Sequence, residues 1–262
     1  MRQQVAYTLW GMPPNILFIM SDDHAAHAIS AYGSRINQTP HIDRLALEGM
    51  RLDTCLCTNS ICAPSRASIL TGTYSHVNDV ITLRERLDLT RPDLPNVARL
   101  LQQAGYQTGM FGKWHLGHQP ENQPKGFDAW RVLPGQGLYH NPDFFQPADA
   151  HAPEGEVVRR DYEGYATDLI TDFSLDWLRQ RDSHRPFFLM LHHKAPHRPW
   201  DPDDKHAHLY DEIEVPEPVT FDDDYANRSH AAAAARMRMD DLNDRDTKGP
   251  PPEGLSPEAV RR

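Results

Sequence analysis

The run Asn15-Ile16-Leu17-Phe18-Ile19-Met20 follows Pro13-Pro14 and empties into Ser21-Asp22-Asp23. A short, continuous apolar run with a polar cluster at its carboxyl end reads as a buried strand of a parallel sheet. In open α/β sheets, ligand sites gather outside the carboxyl ends of strands. Asp22 and Asp23 therefore stand where chemistry is done. Two adjacent carboxylates repel if buried and ionised together. A divalent cation relieves that repulsion, and an all-oxygen donor set favours Ca²⁺ or Mg²⁺. The competing reading is one Asp capping a turn with the other in solvent.

Outward from this strand the chain alternates. Thr39–Gly49 reads as a helix, with Pro40 in the first turn and Gly49 at the stop. Met50–Thr58 alternates as a second strand, on which Cys55 and Cys57 would share a face, and Ser65–Thr71 is a short helix ended by Gly72. Pro95–Ala104 is an amphipathic helix closed by Gly105, and the strand Tyr106–Phe111 delivers Gly112-Lys113-Trp114-His115. Residues 117–160, rich in Gly, Pro and Asn, read as an ordered loop region. Tyr165–Arg181 is a helix, and Pro186–His192 is a buried strand whose polar end holds Lys194 and His197. This alternation predicts an α/β fold with a mostly parallel central sheet flanked by helices. The expected divisions are an extension over 1–14, a catalytic portion over 15–243, and a charged, proline-rich tail over 244–262, with a helix near Ala231–Ala235.

The charge balance of 27 Lys and Arg against 37 Asp and Glu, net −10, lacks the basic footprint of a nucleic-acid binder. A local cationic cluster can still take an anionic substrate. Three cysteines, Cys55, Cys57 and Cys62, make no disulfide framework. No apolar run approaches a membrane span. Met1–Pro14 makes a poor signal peptide. As written, the sequence reads as cytoplasmic, and as periplasmic or secreted if the true start lies upstream.

Cys62-Ala63-Pro64-Ser65-Arg66, running on through Ala67-Ser68-Ile69-Leu70-Thr71-Gly72, resembles the sulfatase signature. In that family a Cys with Pro two residues on and Arg four on is converted to formylglycine by a maturation enzyme. The context agrees in order and spacing. Asn15–Asp23 resembles the first metal-binding strand, Thr39–Gly49 the next helix, Gly112–Gly117 the Lys and His motif, and Ala195-Pro196-His197 the later His. The resemblance implies an alkaline-phosphatase-like fold and hydrolysis of sulfuric esters. It implies Asp22, Asp23 and the modified Cys62 as metal ligands, with Ca²⁺ foremost and Mg²⁺ as the alternative. It further implies that Arg66 steadies the modified side chain and Lys113 grips sulfate oxygens. His115 would take a proton from the spare hydroxyl of the hydrated aldehyde, and His197 would donate to the leaving oxygen. A start of helix at the signature supplies free N–H groups for an anion.

Leu133–Pro142 and His192–Trp200 look most like bacterial mucin-desulfating or N-acetylglucosamine-6-sulfatases, so a sulfated glycan is the substrate expected. The sequence departs from the family pattern after Asp201, where no apolar strand precedes a further Asp. Asp222–Asp224 follow only Thr220-Phe221, and Asp240-Asp241 read as a solvated acidic face in a helix. The chain is accordingly expected to be incomplete on its C-terminal side, with impaired activity. Two other readings stay open: a phosphonate or phosphodiester hydrolase of the same superfamily, and a non-catalytic fragment.

Overall fold

The computed structural model describes residues 13–236, 241–250 and 254. Most of the expected extension, Asp240 and nearly all of the tail past Pro250 lie outside the described residues. Six strands form one sheet: β1 (Ile16–Met20), β2 (Gln107–Lys113), β3 (Ala129–Leu133), β4 (Asp143–Pro147), β5 (Val157–Asp161) and β6 (Phe187–His192), in the order β1-β6-β2-β3-β4-β5. β1, β6, β2 and β3 run parallel, while β4 and β5 add an antiparallel hairpin. The helices are α1 (Pro40–Glu48), α2 (Cys62–Thr71), α3 (Ser75–Asn78), α4 (Val97–Gln103), α5 (Ala166–Gln180), α6 (His230–Ala233) and α7 (Asp244–Thr247). No helix among the described residues is long and apolar enough to cross a membrane.

The two central strands are apolar on both faces because both faces are covered. Met110, Phe188 and Met190 pack with Ala63, Ala67 and Leu70 of α2 and Ala98 of α4. Phe111, Leu189 and Leu191 turn the other way, against Ile170 and Phe173 of α5. Alternation along each strand thus feeds two cores.

Two expectations are corrected. Residues 50–58 form no strand; the segment is irregular and almost wholly exposed, including Cys55 and Cys57. Its alternation had no neighbour to pair with, and an unpaired strand is not stable. The 117–160 region holds three strands that its Gly and Pro content concealed. Boundaries shift as well. α2 begins at Cys62 itself, and β2 runs on through Lys113.

Candidate active site

The carboxyl ends of β1, β2 and β6, three neighbouring strands, face the start of α2. Past the strands the β1–β6 ladder continues through His193 N–H to Met20 O (2.8 Å) and Asp22 N–H to Ala195 O (3.1 Å). Those bonds fix the Asp22-Asp23 pair against the Lys194–His197 turn. Gly112 lets β2 and β6 close up. A Cβ there would stand 2.0 Å from the His192 carbonyl oxygen, and its φ of +108° suits glycine alone. Asp23 and His115 also hold positive φ, 55° and 58°, an uncommon backbone state that clusters at functional sites.

Asp22 is the electrostatic hub. Lys113 Nζ lies 2.5 Å and Arg66 Nη2 3.0 Å from its Oδ2, and all three residues are buried. Both cations converge on one oxygen, which leaves Oδ1 without a hydrogen bond among the described residues. Burial opposes ionisation of Asp22, yet Lys113 and then Arg66 outweigh it and hold the carboxyl below its usual range. Arg66 Nη1 also donates to the Lys113 carbonyl and lies 3.2 Å from His192 Nδ1, which itself stands 3.3 Å from the same carbonyl. His192 Nε2 is buried with no hydrogen-bond partner among the described residues. Lys113 further donates to Gln136 Oε1. Burial pulls the Lys113 ammonium below its ordinary value, Asp22 restoring part of the loss.

Cys62, half-buried, is the first residue of α2, where unpaired N–H groups and the helix dipole favour an anion. Its sulfur, an Asp22 carboxylate oxygen and a His197 ring nitrogen lie within 4.8 Å of one another. His197 Nε2 stands 3.6 Å from Asp23 Oδ2. Its Nδ1 is 2.6 Å from the Arg198 carbonyl, an acceptor that keeps a proton on that nitrogen. His115 is pushed down to about 4 by burial, then by the charges of Lys113 and Arg66, so its ring is neutral at pH 7. Its Nδ1 is buried with no partner.

The structure therefore joins Asp22, Cys62, Arg66, Lys113 and His197 in one cluster, with Asp23 at its solvent edge and His115 within its field. Sequence reasoning missed His192 and Gln136 as members. His192 stood at a strand end and was readable; Gln136, in a Gly-flanked loop, carried no pattern.

The sulfatase family model matches residues 14–235. The chain belongs to the sulfatase family. Among curated sulfatases, an N-acetylglucosamine-6-O-sulfatase from Bacteroides thetaiotaomicron is 43% identical over 240 residues, 90% of this chain and 40% of its own length. Human N-acetylgalactosamine-6-sulfatase is 32% identical over 212 residues, covering 71% of this chain and 40% of the human one. A solved structure of a protein in complex with its substrate D-glucosamine-2-N,6-O-disulfate is 40% identical with a TM-score of 0.81. It covers 94% of this chain and 47% of that one. The chain thus spans about 40% of the length of the curated sulfatases it matches. The family generally uses formylglycine and a divalent metal.

The donors fit such a metal as part of a shell. Buried Asp22 offers an open Oδ1, position 62 a second ligand and His197 a ring nitrogen, all within 4.8 Å, with the Asp23 carboxylate 3.6 Å from that ring. A thiol and an imidazole alone suit softer ions. Replacing the Cys62 sulfur by oxygen moves the set toward a hard cation.

Proposed function

We propose that the chain carries the nucleophile half of a sulfatase site for a sulfated glycan, with Cys62 converted to formylglycine by a maturation enzyme. The observation that carries this reading is the position of Cys62 at the first turn of α2. From there Arg66, one turn on, reaches the same carboxylate as Lys113.

Asp22, Asp23 and residue 62 would hold the metal, Ca²⁺ by the preference of carboxylates for hard ions. The hydrated aldehyde supplies a hydroxyl nucleophile and a second hydroxyl for expelling sulfate. The chain's own side chains do the rest. Arg66 and Lys113 place two positive charges beside residue 62, where sulfate oxygens crowd in the transition state. Neutral His115 is able to accept a proton at pH 7. His197 keeps Nδ1–H on the Arg198 carbonyl and presents Nε2 toward Asp23 and residue 62, from where the doubly protonated ring, the form that pairs with the Asp23 carboxylate, would hand its Nε2 proton to a leaving oxygen. The glycan substrate rests on the relatives' printed activities and on the two cations, Arg66 and Lys113, that stand beside residue 62.

Co-expression of the chain with a formylglycine-generating enzyme, followed by peptide mass spectrometry, should show the Cys62 thiol replaced by an aldehyde. Assay of the converted protein with Ca²⁺ should then show turnover of an aryl sulfate and of 6-sulfated N-acetylglucosamine above that of a phosphodiester. A Cys62 left wholly unmodified, or a preference for the phosphodiester, would sink this reading. Turnover of residues 1–262 alone should stay well below that of a full-length relative. A hard ion takes six or more oxygens, and two carboxylates plus residue 62 leave much of the shell to water.

A further inference from the structure

Lys194 is a buried cation with no ion pair among the described residues, the Asp22 and Asp201 carboxylates acting on it only at longer range. Only 3% of it is exposed, and its ammonium has no hydrogen bond among the described residues. The face of the Tyr139 ring lies 4.7 Å from Nζ. Charges are almost never kept buried unless something pairs with them. Burial, then the charge of Lys113, pushes its ammonium down to about 8, so it is still largely charged at pH 7.

The side chain lines a cavity of about 300 Å³. Across that cavity stands Arg245 of α7, whose guanidinium also has no ion pair among the described residues. His197 and Gln136 form the wall shared with the active site, and Asn243 adds an amide. Gln136 accepts from Lys113 as well, so the cavity begins where the ester pocket ends. Its volume is at the small end of ligand pockets and suits one sugar ring. α7 is held over the cavity by design of its own residues. Arg198 donates to both carboxylate oxygens of Asp246, through Nε at 2.8 Å and through Nη2. Lys248 meets the Pro199 carbonyl and Asp201, and Asn243 and Asp246 close a capping box on α7. The cation on α7 is therefore tied to the turn that carries His197.

We propose that this cavity is a subsite for a second anionic group of the substrate, sulfate or carboxylate, gripped between Lys194 and Arg245. It rests on the sulfatase reading above and narrows the substrate to a sugar, or sugar pair, bearing an anion besides the ester that is cleaved. Lys113 and Arg66 serve the ester, while Lys194 and Arg245 read the second charge.

Binding to the full chain with Cys62 unconverted tests this without turnover. Calorimetry would compare glucosamine 6-sulfate, glucosamine-2-N,6-O-disulfate, and a 6-sulfated glucosamine linked to a uronic acid. At least one doubly charged sugar should bind about tenfold more tightly than the monosulfate, as a charge-assisted pair allows. Which one does so distinguishes sulfate from carboxylate. Lys194→Met and Arg245→Gln should each reduce the preference to about threefold or less while keeping the monosulfate affinity within about twofold. Met replaces an unpaired buried charge at similar volume, and Arg245 is exposed, so both variants should melt like the parent. Equal binding of singly and doubly charged sugars by the parent overturns the subsite. So does a loss in Lys194→Met that is equal for both, which would assign Lys194 to the ester. Absence of binding by any of the three sugars would instead remove the sulfatase reading, and the subsite with it.

Discussion

The sheet is packed unequally at its two sides, and the site is built across the difference. β2 and β6 are covered on both faces, by α2 and α4 on one and α5 on the other. β1 is an edge strand that leaves Leu17 and Ile19 about half exposed, at 48% and 54%. α1 likewise buries no residue, and Leu47 on that helix is 86% exposed. Asp22 and Asp23 come from the thin side, and Lys113, His115 and His197 from the thick one. The seam between them is polar: Asp22 bound by Lys113 and Arg66, and the ladder bonds of Met20 and Asp22 to the His193–Ala195 turn. The lesson is that the Asp22 and Asp23 carboxylates are placed by charge and backbone bonding, while Lys113, His115 and His197 are placed by apolar packing.

The largest expected effect removes the chemistry without touching either side. Cys62→Ala in the converted protein should cut sulfatase turnover by roughly 10⁴-fold or more, as loss of a nucleophile does elsewhere. Its melting temperature should hardly move, since the residue is half-exposed at the head of α2. Retained turnover would place the nucleophile elsewhere. On the thick side, Leu189→Ala should cost about 2–5 kcal/mol in urea unfolding, because the side chain is fully buried between β2 and α5. A cost below about 1 kcal/mol would contradict the packing described for that face.

Acid should erode the two sides in sequence. Burial lowers His115 and His193 from 6.5 to about 4 and also lowers His192 well below 6.5. Folding keeps these rings neutral, so the unfolded chain takes up their protons first. Their stabilisation is complete above pH 6.5 and falls away as the pH drops from there to about 4. Each such proton contributes at most about 1.4 kcal/mol per pH unit to the slope. Asp22 acts later. Its carboxyl lies below 3.8, so the stability it brings holds above that value and is lost as pH falls through its lower folded value. Melting curves from pH 7 to 3 should show a loss that begins near pH 6.5. A flat profile down to pH 4 would mean that the histidines are hydrated rather than buried.

A smaller effect is expected at the strut of α7. Asp246→Asn removes the charge that Arg198 grips, and Arg198, partly exposed, is able to turn to water. Melting should drop by less than for Leu189→Ala, with faster amide exchange over residues 197–201 as the specific sign. Unchanged exchange there would show that α7 does not steady the His197 turn.

What the sequence disclosed follows the same division. Strands β2 and β6 announced themselves through continuous apolar runs, because strands buried on both faces need no polar alternate. β1 carries such a run too, but the burial expected of it is corrected: as an edge strand it leaves Leu17 and Ile19 half exposed. The polar ends of all three pointed to Asp22, Asp23, Lys113, His115 and His197 together, and the sulfatase resemblance carried by Cys62–Arg66 pointed to the rest. The thin side misled, since Met50, Leu52 and Leu56 alternate like a strand yet lie exposed with no partner. β3, β4 and β5 were hidden for the opposite reason. Each has five residues, and they are bounded by the Gly and Pro that signal loops. Gln136 joined the site through a contact 23 residues distant from Lys113, which no local pattern encodes.

The smallest expected effect is the sharpest test of the contrast. In β1 the side chains of Leu17 and Ile19 point to the face that α5 covers farther along the sheet, but α5 packs over β2 and β6 and stops short of them. Ile19→Thr keeps a β-branched side chain of high strand propensity and removes apolar surface that is already half in water. The transfer term is therefore small, and the cost to unfolding should be under about 0.5 kcal/mol, the range of ordinary surface substitutions. Solubility should rise, because an apolar edge strand is a template for pairing with other chains. The ladder to Phe188 through His192 is backbone, so Asp22 should stay in place and the acid profile should keep its shape. A cost above about 2 kcal/mol would show instead that Ile19 is buried in solution. The thin side of the sheet would then be as firmly packed as the thick one, and apolar contact rather than the Asp22 ion pairs would be what places Asp22 and Asp23.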